Sequence, residues 1–275
     1  MTQPSKTSLS DAVGQPAAPR LGRLFLVPAP LDHGCAEPTR LEDSLPSGTL
    51  AAAAQITHWI CENARSARAY LKRISAIVPL AAPLQAQHIT ELPRLAHKKG
   101  DHSGAAGAEY DAAGLLEAAR AGADMGLLSE AGMPGIADPG SAVVRAAHRL
   151  GLPVIPLVGP VSPVLALAAS GLNGQNFAFI GYLPQNPDER VQRIRALEAY
   201  AIKTGQTQLF IETPYRNRAL LQALVQTLAP QTLLAVAWGV TLPGGRIISQ
   251  PVSAWRTMAI DAVAAEWPAV FAIGR

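Results

Sequence analysis

The sequence feature that most constrains the fold is a loop rich in glycine and proline at residues 129–140, which follows a short apolar run and precedes a helical pattern. Its three glycines lack a Cβ, so the backbone can approach a small molecule closely or adopt positive φ. Its two prolines restrict the unfolded chain. Open α/β sheets bind ligands beyond the carboxyl ends of their strands, so this order predicts a ligand-binding loop, with Ser141 as the N-cap of the helix.

The length and composition predict a two-domain α/β protein. The chain has 275 residues, of which 49% are hydrophobic and 16% charged, enough to bury a substantial core. We expect a disordered tail at residues 1–20, an N-terminal α/β domain at 21–159 and a C-terminal α/β domain at 160–275. The net charge of +3 is a weak indication of a nucleic-acid partner.

The composition also bears on location and on metals. Two cysteines give no disulfide framework and favour a reduced cytoplasmic setting, and no run of eighteen apolar residues suggests a membrane span. His33, Cys35, His58 and Cys61 do not have the paired spacing of a zinc site, so we expect no metal.

Strand and helix patterns alternate through the N-terminal half. Residues 51–60 are ambiguous between helix and strand, and residues 97–107 predict a polar, glycine-rich loop. The strand that follows the helix after the glycine-rich loop predicts a parallel βαβ unit. The predicted strands are 24–27, 125–128 and 153–158, and the predicted helices are 64–74, which has a basic face, 110–121 and 141–150, which Gly151 closes as the C-cap.

The C-terminal half predicts a mixed α/β domain. It begins with a helix at 164–170 that Gly171 closes. The further predicted strands are 177–182, 208–212, 233–237 and 270–273, and the further predicted helices are 187–203 and 217–228.

The sequence lacks the motifs of several common enzyme classes, which excludes the corresponding reactions. The chain has neither a phosphate-binding Gly-x-x-x-x-Gly-Lys-Ser/Thr loop nor a Gly-x-Gly-x-x-Gly after its first strand, and it has no Gly-x-Ser-x-Gly nucleophile. Several ligand-facing loops without a catalytic dyad suit a reaction whose donor already carries a good leaving group. Methyl transfer from S-adenosylmethionine is the main example, because the protein contributes chiefly by alignment.

Five ordered motifs resemble the tetrapyrrole methylase superfamily, and within it the branch that methylates ribose 2′-oxygens of small-subunit ribosomal RNA. The resemblance covers about residues 22–275. The motifs are Val-Pro-Ala-Pro at 27–30, Glu-Asn-Ala-Arg at 62–65, the loop at 129–140, Pro-Leu-Val-Gly-Pro at 156–160 and Glu-Thr-Pro-Tyr-Arg at 212–216.

The resemblance implies a homodimer of two-domain subunits with S-adenosylmethionine bound between the domains. Glu130 joins the expected cofactor site because a carboxylate there can accept hydrogen bonds from a ribose or pair with the amino group of the donor. Matching motif positions supply the other expected cofactor residues, which are Pro30, Leu31, Ala131, Gly132, Met133, Ile136, Val161, Ser162, Glu212 and Val240.

The acceptor side departs from the pattern of the ribosomal branch. Residues 62–65 resemble its Glu-Asp-Thr-Arg element, but Asn63 and Ala64 replace the Asp and the Thr, and an amide cannot remove a proton as a carboxylate can. RNA, most plausibly ribosomal, is therefore one acceptor, and a tetrapyrrole or another small molecule is the alternative. A third hypothesis is a non-catalytic relative that keeps the cleft.

Candidate acceptor residues follow from these motifs. Asn63, Arg65, Tyr215 and Arg216 are expected to bind the acceptor, the last two as a stacking surface and a cation. The catalytic candidates are Asp32, His33, Glu62 and Arg65. Asp138 is interpreted as an acid that caps the helix beginning near Ser141.

Overall fold

The computed structural model of the chain describes residues 20–32, 34–93, 111–259 and 267–275. The predicted tail, apart from Arg20, lies outside these residues. So do the candidate base His33, the predicted loop at 97–107 and the first residue of the predicted helix at 110–121.

A five-stranded parallel sheet forms the first half of the described chain, with the strand order β3-β2-β4-β1-β5. Its strands are β1 (Leu24–Val27), β2 (His58–Cys61), β3 (His88–Glu91), β4 (Met125–Leu128) and β5 (Val154–Pro156). Its helices are α1 (Ser47–Ala54), α2 (Ala64–Ser75), α3 (Glu117–Arg120) and α4 (Ser141–Arg149).

Both faces of this sheet are buried, as expected for parallel strands linked by crossover helices. Alternate residues of β1 and β2 enter two separate hydrophobic clusters, one against α1 and α2 and the other against α3 and α4. Gly126 in β4 makes room for the buried ring of Trp59, since a Cβ at this glycine would lie 2.6 Å from the ring.

A second five-stranded sheet has the order β6-β7-β10-β8-β9. Strands β6 and β7 are parallel, whereas β10 is antiparallel to both β7 and β8, and β8 is antiparallel to β9. Its strands are β6 (Phe177–Tyr182), β7 (Thr207–Glu212), β8 (Leu233–Trp238), β9 (Arg246–Pro251) and β10 (Ala269–Gly274). Its helices are α5 (Ser162–Ser170), α6 (Pro187–Thr204), α7 (Pro214–Thr227) and α8 (Val252–Trp255).

Helices cover both faces of the second sheet. Phe210, Val236 and Phe271 belong to the cluster formed with α6, α7 and α8. The alternate residues of these strands pack with Ala166 and Leu167 of α5 on the opposite face. Helix α5 therefore packs on the second sheet although it directly follows the last strand of the first.

The predicted mixed α/β fold is confirmed, and several local predictions are corrected. Residues 51–60 contain both the end of α1 and most of β2, and the helix predicted from residue 110 is reduced, in its described part, to a 3₁₀ turn at Ala113–Leu116 followed by α3. Ser141 is the first residue of α4 and not its N-cap, because Gly140 occupies that position with φ 134°. Leu150 is the C-cap, and Gly151 follows it with φ 68°.

None of the described helices is both long and apolar enough to cross a membrane.

Candidate functional site

A cleft of about 260 Å³ lies between the two sheets. It receives loops from the carboxyl ends of first-sheet strands, the N-terminus of α5, and the ends of β7, β8 and β10 in the second sheet. Nine of the eleven expected cofactor residues line it. They are Leu31, Ala131, Gly132, Met133, Ile136, Val161, Ser162, Glu212 and Val240.

Backbone contacts hold the first-sheet loops in place. Ala29 and Gly132 form an antiparallel bridge in which each N–H donates to the carbonyl oxygen of the other, at 2.9 and 3.0 Å. The peptide groups of Gly132 are therefore used within the protein, and the residue contributes space to the cleft. Gly159 packs against Pro28 so closely that a Cβ would lie 2.3 Å from its ring.

Two expected cofactor residues do not line the cleft. Pro30 is buried. Glu130 instead contacts the acceptor-side element, since Ser66 Oγ donates to its carboxylate at 2.9 Å. Its backbone N–H points to the Glu62 carboxylate at 3.3 Å. Glu62 and Glu130 thus lie side by side at the ends of the neighbouring strands β2 and β4.

Asp138 lies in the wall of the cleft, within electrostatic reach of this acidic pair. Burial, and secondly the negative charges of Glu62 and Glu130, raise the pKa of its carboxyl to about 7. Gly140, and not Asp138, occupies the N-cap position of α4, so the interpretation of Asp138 as the N-cap acid is corrected.

Glu212 ends β7 in the opposite wall and is held by the residues that follow it. Arg216 contacts its Oε1 through Nη2 at 2.6 Å and through Nε at 2.9 Å, and the backbone N–H of Thr213 donates to the same oxygen at 2.8 Å. The guanidinium of Arg216 also lies 5.6 Å from the ring centroid of the exposed Tyr215. Glu212 thereby holds the guanidinium of Arg216 beside the exposed ring of Tyr215.

The side chain of Asp32, a candidate base, is bound by neighbouring residues of the first half of the chain. Both of its carboxylate oxygens accept from Arg73, at 3.2 and 2.9 Å, and Thr39 donates its N–H and its hydroxyl to Oδ2. Burial favours the neutral acid, but these hydrogen bonds and the charge of Arg73 outweigh it and lower the pKa of Asp32. The carboxylate is bound by Arg73 and Thr39 and does not line the cleft, and the role of Asp32 as a base stays a prediction.

The acceptor-side element opens α2. The Asn63 side chain is its N-cap and accepts from the backbone N–H groups of Arg65 and Ser66, at 2.8 and 3.2 Å. The amide that replaces the expected carboxylate therefore has a capping role. The Arg65 side chain is exposed at the same end of the helix.

Sequence reasoning missed part of the cleft wall. Tyr182 lines it at the end of β6, where burial, followed by the charges of Asp138 and Glu212, raises the pKa of its hydroxyl. Gly239 lines it at a tight turn after β8, where a Cβ would lie 2.3 Å from the Trp267 ring. The terminal position of Tyr182 in a predicted strand was the one available signal, since the turn at Gly239 follows no predicted motif.

The side chains and backbone groups that line the cleft suit an organic ligand. Apolar side chains and backbone line most of the wall, and two carboxylates, Asp138 and Glu212, provide the acidic groups. Within residues 20–32, 34–93, 111–259 and 267–275, no three histidine, cysteine or acidic side chains are grouped as metal ligands. Such a wall can enclose an adenosyl group and bind cationic or hydrogen-bond-donating groups.

The comparison with family models gives a match over residues 49–254, to the tetrapyrrole (corrin/porphyrin) methylases.

Similar curated proteins carry the name ribosomal RNA small subunit methyltransferase I. The protein from Bacillus subtilis is 28% identical over 213 residues, which are 78% of this chain and 62% of that protein. The one from Mesorhizobium japonicum is 29% identical over 155 residues, 56% of this chain and 49% of that protein. The chain therefore spans about half the length of the curated relatives it matches.

Solved structures of similar fold include the methyltransferase CobJ, with a TM-score of 0.53 at 20% identity, over 92% of this chain and 94% of that one. Another is the uroporphyrin-III C-methyl transferase from Thermus thermophilus in complex with S-adenyl homocysteine. Its TM-score is 0.50 at 17% identity, over 92% of this chain and 98% of that one. At these identities the likeness is one of fold.

Proposed function

This chain belongs to the tetrapyrrole (corrin/porphyrin) methylase family, and from that premise we propose that it is a methyltransferase that uses S-adenosylmethionine. The observation that carries the proposal is the cleft between the sheets, lined by nine residues that the sequence motifs assigned to the methyl donor. When bound, the donor supplies a methyl group on a sulfonium that needs no acid to leave.

The residues of the cleft fit this donor in two ways. Leu31, Met133, Val161 and Val240 offer apolar surface for an adenine ring and a thioether chain. Glu212 and Asp138 offer negative charge for the amino and sulfonium groups, and negative charge inside a partly dry cleft attracts cations more strongly than in water. The protein would thus hold the methyl carbon in line with the acceptor, which lowers the entropic cost of reaction.

We propose small-subunit ribosomal RNA as the acceptor, methylated on a ribose 2′-oxygen. The names of the curated relatives support this choice, and so does the exposed basic side of α2, where Arg65, Arg68 and Lys72 follow the cleft-side Glu62. A phosphate backbone would meet these cations, and such binding weakens as salt is added.

A tetrapyrrole or another small molecule is the second candidate, and one observation favours it. Asp138 lines the cleft, and Glu62 and Glu130 lie near enough to act on it electrostatically, so three carboxylates on this side disfavour phosphodiesters. They would suit an acceptor with cationic or hydrogen-bond-donating groups.

Three further properties belong to the proposal. We place the domain boundary between residues 159 and 160, because α5 begins two residues later and packs on the second sheet. We expect a homodimer, to be measured by light scattering after size exclusion. We expect it to act in the cytoplasm, where small ribosomal subunits are available to it.

Calorimetry tests the donor assignment. We expect heat of binding for S-adenosylmethionine and for S-adenosylhomocysteine, and its loss in Ala131→Trp, because an indole at this position would fill the cleft. Ala199→Trp on the exposed side of α6 is the matched control and should bind normally. If the wild-type protein gives no heat at high concentration, the donor assignment is rejected.

A deletion strain tests the acceptor. Mass spectrometry of nucleosides from its small-subunit ribosomal RNA should show the loss of one 2′-O-methyl mark, and the purified protein with donor should restore that mark. A full set of methyl marks in the deletion strain would contradict the RNA proposal. Transfer of label to a tetrapyrrole by the purified protein would then support the second candidate.

A further inference from the structure

The carboxylates around the cleft differ in how they are held. Asp32 is bound by Arg73 and Thr39, Glu212 by Arg216 and Thr213, and Glu130 accepts from Ser66. Each of these three carboxylates therefore already accepts hydrogen bonds from the protein.

Asp138 is different because its carboxyl forms no hydrogen bond or ion pair with any described side chain while it lines the cleft. It comes from the same loop as Met133 and Ile136, and the ring of Tyr182 approaches it from the second sheet. An acid that no described side chain binds and that lines the space meant for ligands is placed to exchange a proton with them.

Resting on the proposed function, we propose that Asp138 accepts the proton of the methyl acceptor, and that the positive charge of the bound donor controls whether Asp138 is ionised. This inference goes beyond the methyl transfer itself, because it assigns the base and predicts a proton linkage of donor binding.

The charged groups around Asp138 account for its readiness to change state. Glu62 and Glu130 face it from the ends of β2 and β4, and together with burial they raise its pKa to about 7. From the second sheet, Tyr182 and Glu212 line the same cleft as Asp138, and the hydroxyl of Tyr182 is within electrostatic reach of Asp138, Glu212 and Arg216. In the unliganded protein Asp138 therefore changes its protonation state near neutral pH.

A cation bound in the cleft shifts the protonation equilibrium of Asp138 toward the carboxylate. A sulfonium near Asp138 favours the carboxylate and lowers its pKa, so the loaded protein holds a base at neutral pH. The acceptor oxygen then forms its bond to the methyl carbon while the carbon–sulfur bond breaks and its electron pair stays on sulfur. The hydroxyl proton passes to the Asp138 carboxylate. With the thioether neutral, the pKa of Asp138 returns upward, so the acid keeps the proton until the products leave.

Proton uptake and release on binding test this inference without turnover. Calorimetric titrations at pH 7 in phosphate and in imidazole buffer differ in heat in proportion to the protons exchanged. We expect S-adenosylmethionine to release a measurable fraction of a proton per chain, because some of the Asp138 groups are protonated before the donor binds. The neutral S-adenosylhomocysteine should release clearly less.

Variants test whether the difference in proton release between the two ligands comes from Asp138. In Asp138→Asn, we expect S-adenosylmethionine and S-adenosylhomocysteine to exchange protons equally, and turnover to fall about 100-fold while donor binding persists. Asp138→Glu keeps the carboxyl and should keep the linkage, which covers the case in which the amide variant folds poorly. Asp111→Asn removes an exposed carboxylate that pairs with Arg149 and should behave as the wild type.

The outcomes separate the two proposals. Donor binding with equal proton release for both ligands, or a difference that survives in Asp138→Asn, overturns the role of Asp138 and leaves the methyltransferase proposal intact. Absence of donor binding overturns the methyltransferase proposal, and this inference falls with it.

Discussion

Ala29 and Gly132 are joined through their backbones, each donating its N–H to the carbonyl oxygen of the other at 2.9 and 3.0 Å. Ala29 follows β1 and Gly132 follows β4, which are neighbouring strands of the first sheet. The bridge extends the order of the sheet beyond the strand ends. The bridge therefore ties together the two loops that follow these strands, where Gly132 enters the cleft wall.

The first prediction concerns Gly132, which has φ 72°. An alanine there adopts an unfavourable left-handed conformation, which costs about 1–2 kcal/mol. Its Cβ would also lie 3.2 Å from Leu31 Cδ2, the flexible tip of a side chain that lines the cleft. We expect Gly132→Ala to lower the free energy of unfolding by about that amount and donor affinity about tenfold, equal to about 1.4 kcal/mol.

Gly48→Ala is the matched control for this change. A Cβ at Gly48 meets nothing within 4 Å, and the residue lies in α1. We expect its stability to be unchanged or raised by up to about 1 kcal/mol, because alanine favours the helix. Urea unfolding and calorimetry measure both quantities. Equal behaviour of the two variants would contradict the role given to the Gly132 backbone.

The second prediction concerns the ion pair of Arg73 and Asp32. The side chains are 28% and 6% exposed, so Arg73→Met leaves a buried carboxylate without its cation. We expect a loss of about 2–4 kcal/mol in the free energy of unfolding at pH 7. The exposed pair of Arg149 and Asp111 is the control, and Arg149→Met should cost less than about 1 kcal/mol.

The pH dependence of this pair has a definite sign. The folded-state pKa of Asp32 lies below 3.8, so the stability it contributes is present at neutral pH and is lost as the pH falls through that folded pKa. Arg73→Met removes the charge and hydrogen bonds of Arg73 while those of Thr39 remain, so the pKa of Asp32 rises relative to the wild type and acidification relieves the unpaired charge. The difference in unfolding free energy between wild type and variant should therefore shrink in acid. A constant difference from pH 7 to pH 3 would argue against the pairing.

The third prediction separates two roles of Asn63. Its amide caps α2, so Asn63→Ala should cost about 1 kcal/mol, whereas Asn63→Asp should keep the cap and the stability. Asn186 caps α6 in the same way, through Asp188 and Glu189, and Asn186→Ala supplies an equal loss of cap away from the cleft. If Asn63 also contacts the acceptor, Asn63→Ala alone raises the KM for the acceptor. Equal KM values in the two alanine variants would limit Asn63 to capping.

The sequence predicts most elements because their apolar residues are patterned by burial. The four residues of β4 are all buried, and those of β10 likewise, so both appear as short apolar runs. Strands β3 and β9 escape prediction for the opposite reason. They lie at the edges of their sheets, are mostly exposed and have polar sequences, so nothing in their pattern distinguishes them from loops.

The site is predictable where it is built from backbone and is missed where it depends on side-chain partners. The glycine-rich loop carries its own signal in the sequence. Asp32 is bound by Arg73, 41 residues away, and Asp138 is affected by Glu62 and Glu130, so their environments arise from tertiary contacts. Without these contacts, the sequence predicts Asp32 as a base and Asp138 as a helix cap, whereas the structure shows Asp32 in an ion pair and Asp138 in the cleft wall.

The fourth prediction concerns Tyr215, whose side chain is 82% exposed beside the guanidinium of Arg216 at the rim of the cleft. Removing an exposed ring costs little stability, so the free energy of unfolding of Tyr215→Ala should lie within about 0.5 kcal/mol of the wild-type value. If the ring stacks on a base or a planar acceptor, its loss weakens acceptor binding by about 1–3 kcal/mol, and the KM rises accordingly while donor affinity is unchanged.

Tyr200 on α6 is 51% exposed and is the control, so Tyr200→Ala should leave the KM unaltered. Filter binding with small-subunit RNA and calorimetry with the donor measure the two affinities separately. An unchanged KM in Tyr215→Ala would remove this ring from the acceptor site.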